Sequence, residues 1–105
     1  MPREKPVTDR ALRLLRARGG VVQKNHGGMY SGSGRPDIEG GYRGRHVLVE
    51  TKSATGVLSP IQRAVCWAYA ASGSYVCVAA GEVGSVAMML DRIDGEIGAG
   101  KVRQG

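Results

Sequence analysis

Phenylalanine is absent from the 105 residues, and aromatic residues of any kind make up only 5% of them. The core must therefore rest on Val, Leu, Ile, Ala and Met, with Trp67 and Tyr69 as aromatic members. Cysteine is scarce as well. Cys66 and Cys77 fit neither a disulfide framework nor a CxxC metal site, and their apolar neighbours mark them as small buried hydrophobes. No apolar run approaches the roughly 20 residues that a bilayer span requires, and the basic amino terminus lacks the apolar stretch of a signal peptide. A soluble, cytoplasmic protein with no membrane partner is the expectation. The length suits one domain over residues 1–105 with a single modest core.

Acidic residues are also few, 9 against 15 Lys and Arg, for a formal net charge of +6. The imbalance is local. Through Arg63 there are 12 Lys and Arg against 5 Asp and Glu; after it there are 3 against 4. A basic half of this kind suits a polyanionic partner such as DNA, although charge alone is equally compatible with simple solubility.

Glycine is plentiful, with 17 residues, and helps to punctuate the chain. Residues 1–6 hold two prolines and are expected to form a loose arm. From Val7 to Arg18, Val7, Ala11, Leu12, Leu14 and Leu15 share one helical stripe; Arg10, Arg13 and Arg16 lie off it, Thr8 is a possible cap, and Gly19-Gly20 is the stop. Val21–Asn25 is a short strand candidate. His26 to Pro36 is a Gly- and Ser-rich loop. Asp37-Ile38-Glu39 opens a second strand that turns at Gly40-Gly41 or slightly later. The tip Arg43-Gly44-Arg45 then leads into a central strand, His46–Lys52, and completes a hairpin.

Beyond a loop at residues 53–58, Ser59-Pro60-Ile61-Gln62 has Ser at the N-cap, Pro at N1 and Gln at N3, a capping box that starts a helix. This helix should run to Ser72 with Ile61, Val65, Ala68 and Tyr69 on its buried side. Tyr75–Ala80 reads as a buried strand and Glu82–Ile93 as a last helix, followed by a frayed tail over residues 95–105. The element order is α/β, with a right-handed parallel crossover joining the third and fourth strands.

Chemistry concentrates between Gly34 and Lys52. Side chains alternate along a strand, so Glu50 and Lys52 point to the same face, about 7 Å apart. Asp after Pro is a common turn residue, and an exposed Glu-x-Lys pair is worth at most about 1 kcal/mol. Yet the flanking Val47-Leu48-Val49 indicates a strand covered on both faces, where charges are costly without partners or a task. Asp37 and Glu50 can hold Mg²⁺ together with the backbone carbonyl of Thr51. Lys52 can orient and deprotonate a water or stabilise transition-state charge. The pattern reads as a metal-dependent nuclease, with Arg10, Arg13, Lys24, Asn25, Arg35, Arg43 and Arg45 as candidate DNA contacts. His26 and Tyr30 are further groups able to touch a nucleic acid.

Gly34-Arg35-Pro36-Asp37, then Glu50-Thr51-Lys52, then Gly56-x-Leu58-Ser59-x-x-Gln62 resembles the VRR-NUC family of the PD-(D/E)XK nuclease superfamily. The resemblance spans roughly Val7 to Ala80. It implies a restriction-endonuclease-like core, a mixed central sheet flanked by helices, with Asp37, Glu50 and Lys52 catalytic and Mg²⁺ or Mn²⁺ as cofactor. It also implies an active-site role for Gln62, which the capping box equally explains, and an acidic ligand on the first helix, with Glu4 or else Asp9 as the candidate. Stand-alone members are phage or bacterial proteins similar to Holliday-junction resolvases. A homodimer cutting branched DNA is thus implied, with the Met88-Met89-Leu90 helix as a possible dimer surface. Cleavage of simple duplex or single-stranded DNA, a non-cutting DNA-binding module and a basic scaffold are the alternatives.

Overall fold

The computed structural model describes residues 4–25 and 35–100, the side chain of Glu4 excepted. The Gly-rich segment with His26 and Tyr30 lies outside the described residues, as do residues 1–3 and 101–105.

The first helix, α1, spans Glu4–Ala17. It begins earlier than its prolines suggest, because Pro6 falls in the first turn, where backbone N–H groups have no helical acceptor. Val7, Thr8, Ala11 and Leu15 form its buried stripe, so Thr8 is an interior residue of the helix and not its cap. The Gly20 N–H donates to the Leu15 carbonyl at 2.8 Å and turns the chain into β1, Val21–Lys24.

β2 is Ile38–Tyr42 and β3 is Arg45–Lys52. β2 passes through Gly40-Gly41, and the reversal falls at Arg43-Gly44, both residues having positive φ. Gly40 is required by close approach to β1: a Cβ there would lie 2.1 Å from the Val21 carbonyl oxygen. α2, Pro60–Ala71, precedes β4, Tyr75–Ala80, and α3 is Gly84–Gly98. α3 thus extends past the expected end at Ile93 and takes up most of the tail, with Ile93 buried and Ile97 packed against the core.

The sheet order is β1-β2-β3-β4, with the first two pairings antiparallel and β3–β4 parallel. The expected mixed α/β sheet and its crossover are present. Alternation then divides the sheet into two faces. Ile38, Tyr42, Val47, Val49, Tyr75 and Ala79 join Val7, Ala11 and Leu15 of α1 and Val86, Leu90 and Ile93 of α3 in one core. Leu48, Glu50 and Lys52 take the opposite face, where His46 stacks at a tilt against Tyr69 of α2, ring centroids 5.9 Å apart.

α2 departs from expectation. Cys66 is its buried residue, Ile61 and Tyr69 are exposed, and Trp67 is 72% exposed. One twelve-residue helix covers this second face, so most of its apolar side chains lie at the periphery. The aromatic members of the core are Tyr42 and Tyr75 in place of Trp67 and Tyr69. Both thiols are free, and burial pushes their pKa values up, Cys77 to about 12. That favours the protonated, unreactive form.

Candidate active site

The site forms where β2 begins and β3 ends. The last β2–β3 pair is Ile38 with Val49, so Asp37 is the first residue beyond the ladder, and its carboxylate meets Thr51, between Glu50 and Lys52 of β3. Pro36 is buried before the bend at Asp37, and Asn25 clamps this approach. Its backbone N–H donates to the Asp37 carbonyl at 2.7 Å, and its side-chain amide donates to the Pro36 carbonyl at 2.8 Å.

The carboxylate of Asp37 is held from β3. Thr51 donates to its Oδ2 twice, from the backbone N–H at 2.8 Å and from the hydroxyl at 3.0 Å. N–H and C=O of one strand residue point to the same side, so the Thr51 carbonyl also faces the Asp37 edge. The Lys52 carbonyl faces the other way and accepts from the Gly81 N–H at 2.9 Å. Glu50 is 1% exposed. The nearby thiol of Cys66 on α2 reports the local field: burial raises its pKa most, and the charges of Glu50 and Asp37 raise it further.

The motif residues after β3 have local structural roles. The loop folds back on itself through a Gly56 N–H to Ser53 carbonyl bond of 3.0 Å, and a Cβ at Gly56 would stand 3.2 Å from the Lys52 Cβ. Ser59 and Gln62 make the capping box: the Gln62 N–H donates to Ser59 Oγ at 3.2 Å, and the Ser59 N–H donates to Gln62 Oε1 at 2.9 Å. The box fixes the oxygen of the Gln62 side chain and leaves its amide NH₂ as the end able to meet a ligand.

The donor set is made of hard oxygens, two carboxylates and a backbone carbonyl. It suits Mg²⁺ or Mn²⁺, which take one or two carboxylates and keep several waters. Among the described residues no three His, Cys, Asp or Glu side chains group as a metal cage. Of the upstream acids, Asp9 pairs with Lys5 at 3.3 Å on the surface, and the side chain of Glu4 lies outside the described part of the structure.

The basic residues divide. Arg10 donates to the Gly81 carbonyl at 2.6 Å, beside Lys52, and Lys24 pairs with Ile38 across the strands. Arg35 lies at the same end, bonded to Glu39 at 3.2 Å, and Arg13 is exposed on α1. The structure does not bring Arg43 and Arg45 to this end: they sit at the hairpin tip, about 23 Å along β3 from Lys52 at the usual rise per residue. Arg43 is bound there to Asp94 at 3.0 Å. Asn25 is mainly a clamp, because its amide is committed to Pro36 and Glu39.

Two groups escape a reading by motif. Thr8 of α1 lies 2.6 Å from the Thr51 hydroxyl, and both are buried. Its place on the apolar stripe at i, i+3 and i+7 with Ala11 and Leu15 was the available signal. Glu39 accepts from Asn25 at 2.8 Å and from Arg35, and approaches His46 at 3.5 Å. The Asn25 bond, with Arg35 and His46, holds its carboxyl below the usual range against partial desolvation.

No protein-family model and no curated protein matches this sequence. Among solved structures, one described as a VRR_NUC domain is similar to it: 24% identical, with 93% of this chain and 97% of that one covered and a TM-score of 0.63. The chain has the fold of a VRR_NUC domain. No helix among the described residues is long and apolar enough to cross a membrane.

Proposed function

We propose that this chain, folded as a VRR_NUC domain, is a metal-dependent DNA endonuclease. The observation that carries the proposal is the bonding of the Asp37 carboxylate to Thr51, which lies between Glu50 and Lys52, at an end of the sheet flanked by Arg10, Lys24 and Arg35. Asp37, Glu50 and the Thr51 carbonyl would hold Mg²⁺ or Mn²⁺, which supplies acidification of a water and polarisation of a phosphate oxygen. Lys52 would orient the attacking water and, as the neutral amine, take its proton, or, as the ammonium, stabilise charge on the phosphate. The Gln62 amide NH₂, whose oxygen is engaged by the Ser59 N–H, would donate to the scissile phosphate. Arg10, Arg13, Lys24 and Arg35 draw the DNA backbone to the site. Glu4 is the proposed upstream acid, with Asp9 as the alternative.

Branched DNA such as a Holliday junction is the proposed substrate and a homodimer the proposed assembly. Two sites related by a two-fold axis suit paired nicks on a two-fold junction. β4 ends the sheet, and Trp67 and Met88 on the helices beside it are each 72% exposed, which supports a second copy at that edge.

A cleavage panel of four-way junction, flap, duplex and single strand with Mg²⁺ or Mn²⁺ tests the reading. Junction cutting that is lost in Asp37→Ala and Lys52→Ala is the expected result. Equal cutting of all four substrates overturns junction selectivity, and wild-type activity in both variants overturns the catalytic assignment. A strict monomer by sedimentation, with and without DNA, removes the dimer.

A further inference from the structure

The hydroxyl contact between α1 and β3 has a direction. Each threonine carries a single hydroxyl proton, and a carboxylate has only lone pairs to offer. The Thr51 proton is therefore committed to Asp37 Oδ2, 3.0 Å away. The 2.6 Å contact between the two threonine oxygens is then completed by the Thr8 proton. The order is Thr8 to Thr51 to Asp37.

We propose that Thr8 and Thr51 are positioning residues that lock the Asp37 carboxylate for metal binding, resting on the reading of Asp37 as a metal ligand. Both Thr51 donors converge on Oδ2, so rotation of the carboxylate breaks two bonds at once. Oδ1 is left as the oxygen presented to the cation. The relay also runs from the core to the end of the sheet: Thr8 belongs to the helical stripe with Val7, Ala11 and Leu15 in the core, whereas Asp37 lies just before β2 and meets Thr51 between Glu50 and Lys52. An apolar residue at position 8 would satisfy that stripe as well, and burying a hydroxyl is unfavourable unless it is hydrogen-bonded. Thr8 and Thr51 are 3% and 0% exposed. Partners that orient metal ligands in this way commonly govern affinity.

The test compares wild type with Thr8→Val, Thr8→Ser and Thr51→Val, measuring Mn²⁺ binding directly by paramagnetic resonance titration, Mn²⁺ dependence of DNA cutting, and thermal midpoint. Thr8→Val and Thr51→Val are expected to bind Mn²⁺ about tenfold more weakly, with cutting recovered at saturating Mn²⁺. Thr8→Ser should bind as wild type does. Thr8→Ala tests the same hydroxyl without added bulk where Thr8→Val fails to fold. Unchanged Mn²⁺ binding in Thr8→Val, or a Thr8→Ser as weak as Thr8→Val, overturns the relay. A wild type that neither binds Mn²⁺ nor cuts overturns the metal-dependent reading beneath it, which is a separate result.

Discussion

On one face of the sheet, Ile38, Tyr42, Val47 and Val49 lie beneath two helices and are closed from solvent. On the other, the residues that alternate with them, Glu39, His46, Glu50 and Lys52, share a single short helix whose own apolar side chains are largely exposed. The same strands therefore carry both a hydrophobic core and a charged site, one residue apart. Strand periodicity makes this possible, since neighbouring positions face opposite environments. Stability and the proposed chemistry are therefore separable here, except at the Thr8–Thr51 contact that joins them.

Substitutions can break that separation. The largest effect is expected on the charged face: Lys52→Met and Asp37→Asn should each lower cleavage by about 10²–10⁴-fold, with denaturant midpoints near wild type. A collapse of stability in both would show that the charged face also supports the fold. Next comes the apolar face. Leu90→Ala removes a fully buried side chain of α3, and equilibrium unfolding should show a loss of about 2–5 kcal/mol, with cutting retained at temperatures where the variant is folded. Trp67→Ala sharpens the contrast from α2: at 72% exposure it should change monomer stability by no more than about 0.5 kcal/mol, and any larger effect should appear in sedimentation as altered association.

The smallest effect concerns pH and contrasts the sheet's two ends. At the hairpin end Asp94 accepts from Tyr42 at 2.8 Å and pairs with Arg43 and Arg18. The Tyr42 bond, then Arg43 and Arg18, holds its carboxyl below the usual range. Glu39 near the site is lowered too, by Asn25 first. For both, the folded pKa lies below the unfolded one, so their stabilisation is complete above the unfolded value and is lost as pH falls through the folded value. Denaturation midpoints measured from pH 6 down to 3 should therefore fall on the acid side. Asp94→Asn should flatten that slope and leave cutting at neutral pH unchanged.

Most elements were legible because their causes are local. The α2 start follows from Ser59, Pro60 and Gln62 within one turn, and the capping box is present with both bonds. The pairing of β2 with β3 follows from alternation and a glycine-bearing tip. α1 and α3 ran longer than expected at Glu4 and Gly98, because a proline in a first turn costs little and a polar tail stays helical when Ile93 and Ile97 pack on the core.

The sequence by itself determined the alternation that puts Glu50 and Lys52 on one side, the bend that brings in Asp37, and the order of helices and strands. Each depends on residues within a few positions of one another, where steric and hydrogen-bonding preferences act directly. Only the tertiary structure decided that Arg43 is bound to Asp94 away from the site, that α2 carries Trp67 in the open, and that Thr8 reaches Thr51. Those outcomes depend on which helix covers which face of the sheet, a choice made by packing among residues 43 to 51 positions apart in the chain.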